Sequence, residues 1–241
     1  MYGERREATT GGAGPVYNPP KLEDAPASIR DTVLLGASIL ADPQKHVGKH
    51  VGNPLKCGNC HFNGGISQGG KNGGLSLVGV AATYPKYRER QHAAVDLITR
   101  TNDCFERSMN GKPLPPDGPE MTAILTYYQW VAKGLPIYGE FPWLGLKPVG
   151  GEGAGDRSRG ARTYASTCAP CHGADGQGTP AAPAVWGKDS YNDGAGMAKA
   201  ETLAAFALLN MPRGNPTLSA EQAVDLAAFL DSQPRPHFAK K

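Results

Sequence analysis

Cys57-Gly58-Asn59-Cys60-His61 decides how this chain is read. Two cysteines separated by two residues, with histidine directly after them, form the attachment signature of a c-type haem. The thiols of Cys57 and Cys60 would add to the two vinyl groups of the porphyrin, and His61 would bind the iron from one face. The pattern returns at Cys168-Ala169-Pro170-Cys171-His172. The competing reading is a zinc site built from thiolates and imidazoles. Zinc does not need a histidine after each pair, and ribbon-type sites rarely space their pairs this far apart. The expectation is two covalently bound c-type haems, with His61 and His172 as iron ligands.

The bulk composition suits that expectation. A chain of 241 residues has room for one large domain or two small ones. Only 39% of it is hydrophobic and 7% aromatic, little for a core without a cofactor. Two porphyrin discs would make up part of the deficit. The 32 glycines and 21 prolines imply many loops and short helices. The net charge of +3 comes without a basic run long enough for nucleic acid, so that partner is discounted. No stretch reaches the roughly eighteen apolar residues a membrane span needs, which predicts a soluble protein. The opening Met1-Tyr2-Gly3-Glu4-Arg5-Arg6 is polar, with no apolar segment of a signal peptide behind it. Haem is attached to such motifs outside the bacterial cytoplasm, so a periplasmic location with the signal peptide already removed is expected.

Residues 1–27 read as an extended arm, rich in glycine, proline and charge. A helix is predicted over 28–42, where Ile29, Val33, Gly36 and Leu40 share one face. Leu35 and Ile39 would widen that face, Gly36 would admit a close neighbour, and Pro43 would end the helix. Residues 91–109 also have helical spacing, with Val95, Ile98, Phe105 and Met109 as the apolar stripe. A further helix is expected from an Asp117 cap, with Met121, Ile124, Leu125, Tyr128 and Val131 facing the first haem, ending near Gly134 and Pro136. The glycine-rich run 150–155 is the predicted linker, leaving a first domain over 28–149 and a second over 156–241. The second reads as helix, haem motif, loop, helix, methionine, helix. Its last helix starts at Ser219, with Gln222 as the capping-box partner. The fold class expected is mainly α: two fused class I cytochrome c-type domains, each around one covalent haem.

Each iron needs a ligand on its other face, or an open position there. Met211, after a helix and before Pro212, is the natural ligand for the second haem, with Met197 as rival. For the first haem, Met109, Met121, His46 and His50 are available. The fifth cysteine, Cys104, is left over once four are bound to porphyrin. A buried, inert thiol is its bland reading. Against that, Arg100, Cys104 and Ser108 recur at every fourth position of one helical face, and Arg90 would join them if the turn before the helix folds inward. Cationic neighbours stabilise thiolate, the form that binds iron and attacks sulfur.

The segment Thr101-Asn102-Asp103-Cys104-Phe105-Glu106-Arg107-Ser108-Met109-Asn110-Gly111 resembles the signature of the tetrathionate-forming thiosulfate dehydrogenases, which are dihaem c-type cytochromes. The likeness covers nearly the whole chain, least in the N-terminal arm and the linker. The first domain is also similar to the A subunit of the Sox cytochrome. The resemblance implies His61 and Cys104 as axial ligands of an active-site haem, and His172 and Met211 as those of an electron-exit haem. It implies Arg90, Arg100 and Ser108 as catalytic neighbours of Cys104. Some members carry lysine just before the second haem's methionine, where it replaces methionine on oxidation. Here that position is Asn210, so His172/Met211 ligation in both redox states is expected.

The implied reaction joins two thiosulfates into tetrathionate and passes two electrons to an external acceptor, a cytochrome c or similar carrier. The alternatives are a dihaem carrier without substrate chemistry, the same enzyme working mainly as a tetrathionate reductase, and a Sox-type role that attaches thiosulfate to a carrier protein.

Overall fold

A computed structural model describes residues 17–149 and 155–239. The predicted linker therefore falls almost wholly outside the described residues, as do residues 1–16 of the predicted arm. The first unit opens with α1 (Arg30–Ala41) and the short α2 (Pro43–Val47). Pro43 ends α1 as expected and also supplies the first position of α2, where its missing N–H costs nothing. α1 crosses α4 (Pro119–Val131) by burying Val33, Gly36, Ile39 and Leu40. Gly36 sets the crossing, because a Cβ there would lie 2.2 Å from the Ala123 carbonyl oxygen. Leu35 does not join this face and is 37% exposed. It sits about 100° round the helix from Gly36, which points it off the contact.

The expected helix over 91–109 starts later than its apolar spacing suggested. Residues 86–95 form a small hairpin, β1 (Lys86–Arg88) against β2 (Ala93–Val95), with Val95 opposite Lys86. α3 (Leu97–Asp103) begins only where Asp96 caps it, its carboxylate accepting from Thr99 N at 2.7 Å. The chain then widens into a π-helical turn, Cys104–Ser108. α4 is capped at Gly118 rather than Asp117, because Pro119 occupies the first helical position and leaves the cap to the residue before it. Its buried side carries Met121, Ile124, Tyr128 and Val131 as predicted, and also Tyr127 and Trp130.

The second unit runs from α5 (Arg157–Thr163) through a π-helical turn, Tyr164–Cys168, into α6 (Ala169–His172). α7 (Ala200–Asn210) and α8 (Ala220–Asp231) complete it, and Ser219 and Gln222 form the expected capping box. Tyr164, Trp186, Leu203, Leu226 and Leu230 centre its core. α5 and α8 are joined by a buried carboxylate the sequence did not single out. Asp225 accepts Arg159 Nε at 2.6 Å and Arg159 Nη2 at 2.9 Å, and its Oδ1 also takes the Asp156 N–H at 2.6 Å.

The two units are not independent bodies. Tyr191 and Ala195, from the loop before α7, belong to the first core, and Met197 packs against it. Asn53 donates to the Ser190 carbonyl at 3.1 Å, and Asn192 N donates to the Arg107 carbonyl at 3.1 Å. Phe62, next to His61, meets Phe206 of α7 edge to face at 5.9 Å between centroids. No helix among the described residues is long and apolar enough to cross a membrane.

Candidate active site and haem-binding residues

The loop after the first motif folds back over it. Leu75 N donates to the Cys60 carbonyl at 2.8 Å, and His61 Nδ1 meets the Leu75 carbonyl at 2.8 Å. Gly74 makes this possible: its φ is +66°, and a Cβ would lie 2.8 Å from the Cys60 carbonyl oxygen. Burial pushes the His61 imidazolium pKa down to about 4; the Leu75 carbonyl opposes the shift and Arg100 adds to it. At neutral pH the ring is therefore uncharged. With Nδ1–H given to Leu75, the Nε2 lone pair is left for a metal, the arrangement that fixes a ligand histidine. His172 repeats it, with Nδ1 at 2.7 Å from the Pro183 carbonyl.

The cysteines fit the same cofactor. None of the five is in a disulfide. Cys57 packs against the first core and Cys168 against the second, so the two motifs do not pool their sulfurs around one zinc. Burial pushes the Cys57 and Cys60 thiols up to about 12, with Cys104 adding to both. Burial and Cys171 push Cys168 up to about 11. Paired thiols, an adjacent imidazole with Nδ1 held by a carbonyl and a separate apolar core at each motif are what a covalent haem requires.

Among the methionines, Met211 ends α7 and packs on the second core with Cys168, whereas Met197 lies against the first. Met109 and Met121 are core residues of the first unit, 2% and 0% exposed. His50 is engaged with the Pro113 carbonyl at 2.9 Å.

Cys104 begins the π turn, and Arg100, one turn earlier on α3, donates to its Sγ from Nη1 at 2.8 Å. Cys104 is the chief influence holding the Arg100 guanidinium even more firmly protonated, against the pull of burial. Buried Tyr128 of α4 stands nearby; burial raises its phenol, and Cys57 and Cys104 raise it further. Mutual electrostatic influence thus places Cys57, Cys60, His61, Arg100, Cys104 and Tyr128 in one neighbourhood. Ser108 closes the π turn, its carbonyl accepting Asn53 Nδ2 at 2.9 Å. Arg90, in the hairpin turn, gives its guanidinium to the Gly194 carbonyl, to which Arg107 also donates at 3.3 Å. It shares the electrostatic neighbourhood of Arg100 but makes no bond to Cys104.

Two cations were not foreseen. Arg88 donates to the Tyr84 hydroxyl at 3.0 Å, and Lys86 Nζ lies 5.1 Å from the Tyr84 ring centre. The Lys86 ammonium is destabilised by burial and then by Arg88 and Arg100. Their strand is only three residues long, too short to announce itself by alternation.

Two helical units with a haem-attachment motif in each make this chain a dihaem c-type cytochrome. Residues 55–137 match the family model "SoxA/TsdA, cytochrome c domain", and residues 155–230 match "Cytochrome C oxidase, cbb3-type, subunit III". Thiosulfate dehydrogenase of Stutzerimonas stutzeri is 38% identical over 93% of this chain and 75% of its own length. That of Allochromatium vinosum is 35% identical over 88% and 81%. The structure of thiosulfate dehydrogenase (TsdBA) from Marichromatium purpuratum, as isolated, superposes with a TM-score of 0.85 at 30% identity. The match covers 91% of this chain and half of that longer one. This chain belongs to the thiosulfate dehydrogenase family.

Proposed function

We propose that the protein couples two thiosulfates oxidatively into tetrathionate at Cys104, in the periplasm, and delivers the electrons to an external carrier. The observation that carries this reading is the Arg100–Cys104 contact of 2.8 Å, with Cys104 close enough to Cys57 and Cys60 of the first haem-binding motif to raise both thiols. His61 and Cys104 would hold the first iron, and His172 and Met211 the second. When bound, the two haems supply one-electron acceptors that together take up the electron pair and pass it on.

The chain's own groups do the rest. Arg100 and Arg90 offset the charge of the thiosulfate dianion, and a guanidinium fork suits its oxygens. Ser108 orients the substrate by hydrogen bonding. The Cys104 thiolate bonds to the outer sulfur of thiosulfate, giving Cys–S–S–SO3⁻ as two electrons leave. A second thiosulfate attacks that outer sulfur, as in thiol–disulfide exchange. The new S–S bond completes tetrathionate, and the electron pair of the broken bond returns to Cys104 as thiolate. Buried Tyr128 of α4 stands beside Cys57 and Cys104.

The test is turnover of the holoprotein with thiosulfate and ferricyanide, repeated with Cys104→Ala. The expected result is turnover by the wild type, and loss of thiosulfate-driven haem reduction in the variant. Reduction of Cys104→Ala at the wild-type rate would leave a dihaem carrier with no covalent role for Cys104. Rates measured in both directions separate a dehydrogenase from a tetrathionate reductase.

A further inference from the structure

The loop 72–75 belongs to the first unit, yet three of its hydrogen bonds reach the segment around Met211. Asn72 N donates to the Leu209 carbonyl at 2.6 Å. Gly74 N donates to Asn210 Oδ1 at 2.7 Å, and Gly214 N donates to Asn72 Oδ1 at 2.8 Å. Asn210 is fully buried, and its Nδ2 is also used, donating to the Phe206 carbonyl at 3.0 Å. Both halves of its amide are satisfied, one by α7 and one by the other unit. The next residue of the same loop, Leu75, holds His61. Just beyond Met211, Arg213 stacks over Phe62, the neighbour of His61, at 4.4 Å from the ring centre.

We infer that loop 72–75 is a shared positioning element, orienting His61 for the first haem while its Asn72 and Gly74 clamp Met211 for the second. The inference rests on Met211 as the axial ligand of the second haem, as proposed above. Its physical content is the cost of moving Met211 away. Opening the Met211 segment would strip buried Asn210 Oδ1 and the half-buried Leu209 carbonyl of partners, and unpaired buried polar groups are expensive, whereas Gly214 N and Asn72 at the exposed edge would exchange their bond for water. Asn210 is thus committed to holding the segment in place.

Cyanide titration of the oxidised holoprotein tests this, because cyanide must displace Met211. Its apparent affinity at the second haem scales with the fraction of molecules in which Met211 is off the iron. Two variants loosen the clamp from opposite sides. Asn210→Leu keeps the branched shape and removes both amide bonds. Asn72→Gly accepts the positive φ of 61° and removes only the bond to Gly214. Asn210→Leu is expected to bind cyanide at the second haem on the order of tenfold more tightly than the wild type, and Asn72→Gly, which loses a bond at the exposed edge, about twofold to threefold more tightly. Asn72→Asp, which keeps the acceptor, should restore the wild-type value. The sulfur-to-iron charge-transfer band should weaken in both loosened variants while the first haem's spectrum in Asn72→Gly stays unchanged.

Wild-type cyanide affinity in Asn72→Gly and Asn210→Leu overturns the clamp while leaving Met211 ligation standing. If Asn210→Leu does not fold, Asn72→Gly decides alone. Absence of the sulfur-to-iron band from the wild-type protein removes Met211 itself as the ligand, and the clamp with it.

Discussion

Arg100→Gln removes the guanidinium from beside Cys104 and keeps most of the side chain's length. At the observed 2.8 Å, a thiolate–guanidinium pair is worth about 6 kcal/mol at an effective dielectric of 20. That figure is a ceiling, since the pair is only partly buried and some of the lost field is replaced by water. Removing one partner of a fully buried pair costs about 3–5 kcal/mol, and partial burial puts this pair at the low end of that range. A loss of about 3 kcal/mol lowers kcat/KM for thiosulfate by roughly a hundredfold, and more if the arginine also binds substrate. Arg100→Lys should recover part of this, because charge is kept but the planar fork is lost. The assay is thiosulfate-driven haem reduction by stopped flow, with the oxidised spectrum recorded for each variant. If Arg100→Gln retains kcat/KM within threefold of the wild type, the contact is structural and the electrostatic argument is wrong.

Gly36→Ala should destabilise the first unit by about 2–3 kcal/mol, since the new methyl would lie 2.2 Å from the Ala123 carbonyl oxygen and α1 must move off α4. A fall in melting temperature of roughly 4–10 °C would report it. Asn53→Ala would strip the Ser108 carbonyl and Leu55 N of their partners, at about 1–3 kcal/mol for each group left buried and unpaired. A lower denaturation midpoint together with a raised KM for thiosulfate would show that the π turn had loosened. Asp225 carries the pH dependence of the second unit. The hydrogen bond from Arg159, opposed by burial, holds its carboxyl below the usual range. A depressed folded-state value contributes stability above the unfolded value near 3.9, and that stability is lost as pH falls through the folded value. Denaturant midpoints should therefore separate the wild type from Asp225→Asn at pH 7 and converge in strong acid; an equal gap at both would refute the assignment.

Much of the fold was legible because it is written in local chemistry. Cys-x-x-Cys-His fixes a cofactor by covalent reactivity, and the Ser219–Gln222 box depends on four consecutive residues. The Arg100–Cys104 pair was legible too, as a contact between successive turns of one helix. The hairpin at 86–95 was not. Its strands are three residues each, too short for alternation to outweigh the helical spacing of Val95, Ile98 and Phe105. Contacts between the units were invisible for a different reason. Asn72 reads as an ordinary polar residue and Asn210 only as a residue that does not bind iron, and only the folded chain gives their side chains partners 136 to 142 positions away.

That last group bears on why one chain holds two haem motifs. Beads on a string would need only the linker. Here the loop before α7 supplies Tyr191 and Ala195 to the first core, and the carbonyl of Gly194 takes Arg90 from the hairpin beside the Cys104 pocket. In return, the loop that orients His61 grips the segment carrying Met211. Each unit therefore completes the surroundings of the residues proposed as the other's iron ligands. On the proposed reaction, coupling two thiosulfates would release two electrons while each haem would take one, so both acceptors would be needed in one turnover. The shared hydrogen bonds, with Phe62 against Phe206 between the motifs, would then hold the second acceptor against the first, which independent units on a linker would not do.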